Sequence, residues 1–158
     1  MTPGTDMPEA VTITGTRATE HRAAAEYWTI FEEYIGPFAR PGVRFYLGGA
    51  SGIDSLALRW LANETEAELT VAVPAKLADQ PADARAAIVD AREAGRLAEL
   101  VELGGPLQKV GYFARNRWMV DRSALVIGFP RCGTRTSGTW YTLEYAANHD
   151  KPRLIMPV

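Results

Sequence analysis

Short apolar runs of strand length alternate along the chain with longer segments in which apolar residues recur with helical spacing. Strands that alternate with helices build parallel sheets from βαβ units, so the pattern predicts an α/β fold with a mostly parallel sheet. The fifth run, ALVIGF, is apolar almost throughout and is the best candidate for a central strand that is covered on both faces. The fourth run is the most ambiguous. The predicted strands are 10–14, 43–47, 69–73, 97–103, 124–129 and 154–156.

Five helical segments lie between these strands. Thr19 can cap the first helix, Pro81 suits the first turn of the third, and Gly95 ends that third helix. The fourth helix runs from 111 to about 122 and the fifth from 139 to 149. The residues expected to face inward are Ala23, Tyr27, Ile30, Phe31 and Tyr34 in the first helix, and Trp140, Leu143, Ala146 and Ala147 in the fifth.

The size and composition of the chain fit one folded domain. With 158 residues, of which 47% are apolar and 23% charged, the chain can bury a core but is too short for two ordinary domains. We therefore expect a single three-layer domain over 10–158, with helices on both faces of the sheet. The opening residues, 1–9, read as a short disordered lead rich in Thr and Pro.

The charge balance and the cysteine count exclude several kinds of site. The 17 basic and 19 acidic residues give a net charge of −2, so any anion site must be local rather than a general positive field. The one cysteine excludes an intramolecular disulfide and no Cys/His cluster has zinc-ligand spacing, so we expect a cytoplasmic protein without a metal. No apolar stretch has the length of a membrane span, and a membrane partner is not expected.

Three loops rich in glycine or basic residues follow predicted strands. In a parallel sheet these loops share the carboxyl edge, where ligands bind at the point at which the strand order reverses. Glycines let backbone N–H groups approach a ligand, and each following helix presents free N–H groups and a positive dipole end, which together suit phosphate. The candidate residues are Gly15, Thr16 and Arg17 in the first loop, Gly48, Gly49, Ala50, Ser51 and Gly52 in the second, and Arg131, Ser137, Gly138 and Thr139 in the third.

A simpler interpretation is that these glycines are ordinary turn residues and that the arginines are solvated. The meeting of three such loops at one edge favours a ligand site over that alternative. Two common nucleotide motifs are missing, because the second loop lacks the G-x-G-x-x-G spacing and Thr139 stands where a P-loop has its lysine. Classical NAD binding and ATPase activity are therefore disfavoured, and no cofactor is expected.

Asp54 is the most interesting acidic residue in these loops. It can hydrogen-bond a ribose hydroxyl or act as a general base at the floor of a pocket. The alternative is structural, because Ser51-x-x-Asp54 has the spacing of a helix capping box. Further along, Arg115 and Met119 share one face of the fourth helix, where Arg115 can face either a ligand or water.

Three segments resemble a known family: LGGASGIDSLAL (47–58), FARNRWMVDRSALVIGF (113–129) and RTSGTWYTLEYAANHDKPRLIMPV (135–158). They are similar to the Rossmann-like core of the DNA-processing protein A (Smf) family, which belongs with the LOG phosphoribohydrolases to the SLOG superfamily. The resemblance covers most of residues 10–158 and implies a Rossmann-like sheet, a homodimer, and a nucleotide or single-stranded DNA ligand. The ligand-facing residues that it implies are Gly49, Gly52, Asp54, Arg115, Asn116, Ser137, Gly138 and Thr139.

The sequence departs from the LOG pattern at the catalytic acid. The glutamate of those enzymes, three residues after Thr139, is Thr142 here, and Glu144 is turned about 200° away around the helix. Thr142 remains in the expected ligand-facing set, but the LOG mechanism loses its main acid. The leading hypothesis is therefore a SLOG-type protein that binds a nucleotide or a nucleotide derivative.

Two other functions remain open at this stage. One is an N-glycoside hydrolase acting on nucleoside monophosphates, with Asp54 as its acidic group. The other is a single-stranded DNA-binding protein in which Tyr112, Trp118 and Trp140 stack on bases.

Overall fold

The computed structural model describes residues 7–158, which form six strands and five α-helices in alternation. The strands are β1 (Ala10–Gly15), β2 (Arg44–Leu47), β3 (Glu68–Val73), β4 (Leu97–Glu102), β5 (Leu125–Phe129) and β6 (Arg153–Ile155). The helices are α1 (Ala24–Tyr34), α2 (Ile53–Glu64), α3 (Ala82–Glu93), α4 (Lys109–Asp121) and α5 (Gly138–Asn148). Short 3₁₀ turns follow α1 and β3. Each predicted strand overlaps an observed one.

The strands form one sheet in the order β4-β3-β2-β1-β5-β6, and every neighbouring pair is parallel. Helices α1, α2 and α3 pack together on one face of this sheet, and α4 and α5 pack together on the other. The predicted three-layer α/β fold is confirmed. The chain first lays strands outward from β1 in one direction and then returns to place β5 on the other side of β1, so the strand order reverses between β1 and β5.

Strand β5 shows why a nearly continuous apolar run was expected to be covered on both faces. All five of its residues are buried. Leu125, Ile127 and Phe129 face the core under α1–α3, whereas Val126 faces the smaller core under α4 and α5. Phe31 of α1 meets Phe129 edge to face, with 5.5 Å between the ring centroids. The strand is interior but not in the middle of the sheet, which β1 and β2 occupy.

The structure corrects several details of the helices. Thr19 does not cap α1, because residues before Ala23 form turns and Ala23 itself is the N-cap. Ala23 is consequently exposed, since it lies before the first helical turn. Ala147 is also exposed, because Leu143 and Ala146 define the buried face of α5 and Ala147 lies about 100° further around the helix. Residues 1–6 of the predicted disordered lead lie outside the described residues.

The loops after β1, β2 and β5 are joined by their backbones. The amide of Thr16 donates to the carbonyl of Phe129 at 3.0 Å, and the amide of Ile53 donates to the carbonyl of Thr16 at 3.0 Å. Gly52 makes this approach possible, because a Cβ at that position would lie 2.6 Å from the carbonyl oxygens of Thr16 and Arg17. Its φ of +79° is also in the region that favours glycine.

We expect Gly52→Ala to lower the free energy of unfolding by about 3 kcal/mol or more, because the new methyl group adds a steric overlap to an unfavourable backbone angle. Gly95→Ala is the matched control, since Gly95 has a φ of +71° and open space around its Cβ position. That substitution should lose only about 1 kcal/mol. Urea unfolding measures both, and equal losses would show that the loops are not in close contact at Gly52.

Candidate functional site

A cleft of about 760 Å³ opens at the carboxyl edge of the sheet, between β1 and β5, where the strand order reverses. This volume lies within the range of small-molecule sites. The walls come from the end of β1 and its loop, the start of α2, the first two turns of α4 and the start of α5. The residues that line the cleft are Thr14, Gly15, Thr16, Arg17, Ala18, Ala50, Asp54, Lys109, Tyr112, Phe113, Arg115, Asn116, Thr136, Ser137, Gly138 and Thr139.

Most of the candidate residues from the sequence lie in this cleft, and the remaining ones lie behind it or away from it. Those that line it are Gly15, Thr16, Arg17, Ala50, Asp54, Arg115, Asn116, Ser137, Gly138 and Thr139. Those that do not line it are Gly48, Gly49, Ser51, Gly52, Arg131 and Thr142.

The glycine loop after β2 supports the cleft from behind. The carbonyl of Gly49 accepts a hydrogen bond from Gln80 Nε2 at 2.6 Å, and the carbonyl of Gly48 accepts one from Arg115. Ser51 Oγ is hydrogen-bonded to Asp83 of α3 at 2.7 Å. Side chains from other elements therefore hold this loop in place, and its glycines serve close packing.

Arg131 and Thr142 were expected in the site and lie elsewhere. Arg131 is exposed, because the chain after β5 turns toward Val158, whose carbonyl accepts a hydrogen bond from Cys132 N at 2.7 Å. Thr142 is fully buried, and its hydroxyl donates to the carbonyl of Gly138 one turn earlier in α5, at 2.9 Å.

Arg115 is the most unusual side chain in the cleft wall, because it is a cation with only 4% of its surface exposed. Its Nε donates to Asn116 Oδ1 at 2.7 Å and its Nη1 donates to the carbonyl of Gly48. A Cβ at Gly48 would lie 2.7 Å from the guanidinium carbon. None of the ion pairs within 4.0 Å among residues 7–158 includes Arg115, and these residues offer its Nη2 no hydrogen-bond partner. Burial lowers the pKa of Arg115, and the charge of Asp54 opposes that shift.

Asp54 lies in the first turn of α2 and is 7% exposed. Burial raises the pKa of its carboxyl group to about 6, against the nearby charges of Arg115 and Arg17 and the amides of Ala50 and Gly48, which lower it. The hydrogen bond from Ala50 N to Oδ2 is long, at 3.3 Å.

The capping-box interpretation of Asp54 is wrong. The N-cap of α2 is Gly52, which has no side chain that could cap the helix. Ser51, the expected capping residue, is hydrogen-bonded to Asp83 instead.

The first turn of α5 supplies backbone donors. The helix begins at Gly138, one residue earlier than the sequence predicted, and Ser137 is its N-cap, whose hydroxyl oxygen accepts from Trp140 N at 3.3 Å. The amides of Gly138 and Thr139 have no helical acceptor, because they belong to the first turn. The amino end of α5 therefore offers donors and a positive dipole to the cleft.

On α4 the sequence interpretation named Arg115 and Asn116, and Tyr112 for base stacking, but it missed Lys109 and Phe113 as residues that line the cleft. Lys109, Tyr112, Phe113 and Asn116 follow the spacing i, i+3, i+4 and i+7, so they share one face of the helix. The signal was present as a polar and aromatic stripe at positions where a packing face would be apolar. Arg17 lies over the ring of Tyr112, with its guanidinium carbon 5.1 Å from the ring centroid.

Neither a cluster of metal-ligating side chains nor a membrane-spanning helix is found among residues 7–158. Residues 7–158 contain no group of three or more His, Cys, Asp or Glu side chains placed to hold a metal ion. Of the helices formed by the same residues, none combines the length and apolar character needed to cross a bilayer.

No protein-family model and no curated protein sequence matches the chain. Among solved structures, DNA processing protein A from Helicobacter pylori, described for its single-stranded DNA binding mode, aligns with a TM-score of 0.68 and 23% identity over 97% of this chain and 67% of that one. DNA processing protein A from Streptococcus pneumoniae aligns with a TM-score of 0.65 and 17% identity over 96% and 54% of the two chains. TM1055, a structural-genomics target, aligns with a TM-score of 0.60 and 16% identity over 92% and 72%. The protein thus has the Rossmann-like α/β fold of these structures, and it spans about half of the Streptococcus pneumoniae chain.

The raised pKa of Asp54 predicts that the free energy of unfolding depends on pH. The folded protein holds the proton of Asp54 with a pKa of about 6 instead of the usual 3.8, so ionisation of this group destabilises the fold as the pH rises from about 4 to 6. The difference between 3.8 and about 6 corresponds to about 3 kcal/mol of free energy of unfolding. Asp54→Asn should therefore raise the free energy of unfolding by up to about 3 kcal/mol at pH 7.5, and the gain should vanish near pH 3.5.

Urea unfolding at several pH values measures this effect. Asp83→Asn is the control, because Asp83 is an exposed carboxylate that contacts the same loop. It should show no comparable gain at pH 7.5. A gain for Asp54→Asn that does not change with pH would contradict the assignment of a buried, ionised carboxylate.

Proposed function

We propose that the cleft binds a nucleotide or a nucleotide-derived small molecule through its phosphate, and that the protein belongs to the SLOG superfamily. The observation that carries the proposal is the buried guanidinium of Arg115, which lines the cleft without a carboxylate partner among residues 7–158. Burying a guanidinium is unfavourable, and the hydrogen bonds to Gly48 and Asn116 and the more distant charge of Asp54 offset that cost only in part. An anionic ligand group would supply the missing partner.

The surroundings of Arg115 support a phosphate as that anion. Free amides at the start of α5, the exposed Arg17 and the exposed Lys109 line the same cleft. Amides at a helix amino end and arginine side chains together form a common phosphate site. The position of the cleft at the reversal of strand order is also where α/β folds bind ligands.

The aromatic wall of α4 supports a nucleotide in preference to a bare phosphate. Phe113 is stacked on Tyr141 of α5 with 3.9 Å between the ring centroids, which fixes its orientation. The guanidinium group of Arg17 lies over the ring of Tyr112. Rings held in this way at the edge of the cleft offer flat surfaces on which a base can stack.

Arg17→Ala should weaken the binding of adenosine 5′-monophosphate by about tenfold, because the substitution removes one charged hydrogen-bond donor from the cleft. The matched control is Arg122→Ala: Arg122 is also exposed and lies over an aromatic ring, that of Trp118, but it does not line the cleft. Its affinity should stay within twofold of the original protein. Isothermal titration calorimetry measures both, with the four nucleoside monophosphates as the first panel. No binding across the panel, or equal losses in both variants, would contradict the proposal.

Binding of single-stranded DNA is the second candidate, and the specific observation in its favour is the shared fold with DNA processing protein A, whose Helicobacter pylori structure concerns single-stranded DNA. The positions of the aromatic side chains and the net charge are less favourable to binding a long DNA strand. Trp118 lies under Arg122 outside the cleft lining, and the indole of Trp140 donates to the carbonyl of Thr134 at 2.6 Å. The net charge of −2 gives no extended positive track.

A labelled oligothymidylate separates the two candidates by fluorescence anisotropy at increasing salt. For a mononucleotide site we expect weak oligonucleotide binding that adenosine 5′-monophosphate displaces completely. The slope of the logarithm of the affinity against the logarithm of the salt concentration should correspond to contact with one or two phosphates. A salt dependence of several phosphates, or binding that mononucleotides do not displace, would favour the strand-binding function.

The hydrolase alternative has little acid chemistry available in the cleft. Thr142 is buried behind the helix end and Glu144 is exposed away from the lining, so Asp54 is the one carboxylate among the lining residues that the structure describes. Cleavage of an N-glycosidic bond needs one group to activate water and another to assist the leaving base. For this reason we propose binding as the function of the cleft.

A further inference from the structure

We infer that Asp54 recognises the sugar hydroxyls of the bound molecule, so that the cleft selects ribose 5′-phosphates over their deoxy counterparts. This inference rests on the proposed phosphate-binding function and names the class of ligand that the same site takes.

The first observation is the unused acceptor capacity of Asp54. An ionised carboxylate can accept about four hydrogen bonds. Residues 7–158 supply two backbone donors, Ala50 N at 3.3 Å from Oδ2 and the amide of Gly48, and Ser51 is already bound to Asp83, so about half of that capacity is left. Asp54 is 93% buried and lines the cleft. A buried carboxylate whose acceptor capacity is only partly filled by its own protein is costly, and donors from a ligand lower that cost.

The second observation is the charge arrangement, which separates the cleft into two corners. Arg115 and Arg17, with the amino end of α5, form the positive corner in which a phosphate is favoured. Asp54 forms an acceptor corner from which a phosphate is repelled and toward which neutral O–H donors are attracted. Arg115, Arg17 and Asp54 line the same cleft, so the two corners are neighbours.

A ribose 5′-phosphate has the matching arrangement of groups. Its phosphate and its sugar ring are separated by one methylene group, and its 2′ and 3′ hydroxyls are adjacent donors. Two adjacent O–H donors can engage the two oxygens of one carboxylate, a match that a 2′,3′-dideoxyribose cannot provide. Removing donors from a site built to accept them leaves its buried acceptor unpaired, and such losses discriminate strongly between ligands.

The test compares the affinities of adenosine 5′-monophosphate, its 2′-deoxy and 2′,3′-dideoxy analogues, ribose 5-phosphate, 2-deoxyribose 5-phosphate and inorganic phosphate by calorimetry at pH 7.5. The original protein should prefer adenosine 5′-monophosphate over the dideoxy analogue by about tenfold or more, and ribose 5-phosphate over its deoxy form in the same direction. In Asp54→Asn these preferences should fall to about twofold, while inorganic phosphate binds as well as before or better, because a negative charge has been removed. Asp83→Asn, which changes an exposed carboxylate outside the cleft lining, should keep the original preferences.

Each contrary result has a separate meaning. If the original protein binds nucleotides but ignores the sugar hydroxyls, the inference about Asp54 is wrong and the phosphate-binding function stands. If the preference persists in Asp54→Asn, other groups read the sugar and the inference is again wrong. If Asp54→Asn weakens adenosine 5′-monophosphate and its dideoxy analogue equally but leaves ribose 5-phosphate unchanged, its partner is a base N–H group and the sugar assignment fails. If none of the phosphate-bearing compounds binds, the proposed function itself fails.

Discussion

The backbone of Thr16 holds together the three chain segments that form the cleft. Its amide donates to the end of β5 and its carbonyl accepts from the start of α2, so one residue fixes the first loop against both neighbouring strand ends. Gly52 allows the second loop to approach this peptide without a side chain in between. The cleft exists because these backbones meet at a reversal of strand order, where the helices on the two faces diverge and leave an opening.

Opposite charges in this opening are kept apart instead of being paired. Arg115 is held by a carbonyl and an amide side chain, and Asp54 is held by the backbone amides of its loop, so each retains some hydrogen-bonding capacity toward the cleft. Such an arrangement is less stable than a closed ion pair, because both groups are desolvated without the full attraction that direct contact would give. Sites that bind ligands commonly contain groups of this kind, since the energy withheld in the free protein is recovered when a complementary ligand enters.

Much of the fold could be predicted from the sequence, because the strands of a parallel sheet are buried on both faces and read as apolar runs. The site could be predicted only in part. Gly15 and Gly138 line the cleft because loops after parallel strands share one edge, whereas Arg131 does not line it, since the hydrogen bond from Cys132 N to the carbonyl of the distant Val158 turns its segment away. The capping box at Ser51 failed for the same kind of reason, since Asp83 lies 32 positions further along the chain and competes for the hydroxyl. Local patterns carry no information about such distant partners.

The contact between Gly48 and Arg115 restricts how this cleft can change during evolution. The guanidinium group occupies the space that any side chain at position 48 would need, so a larger residue there would expel the cation, and a smaller residue at 115 would leave a void beneath the glycine loop. A substitution at either position therefore requires a compensating change at the other. A lineage that keeps both residues can still vary Arg17, Lys109 and Tyr112 elsewhere in the cleft wall without disturbing this contact.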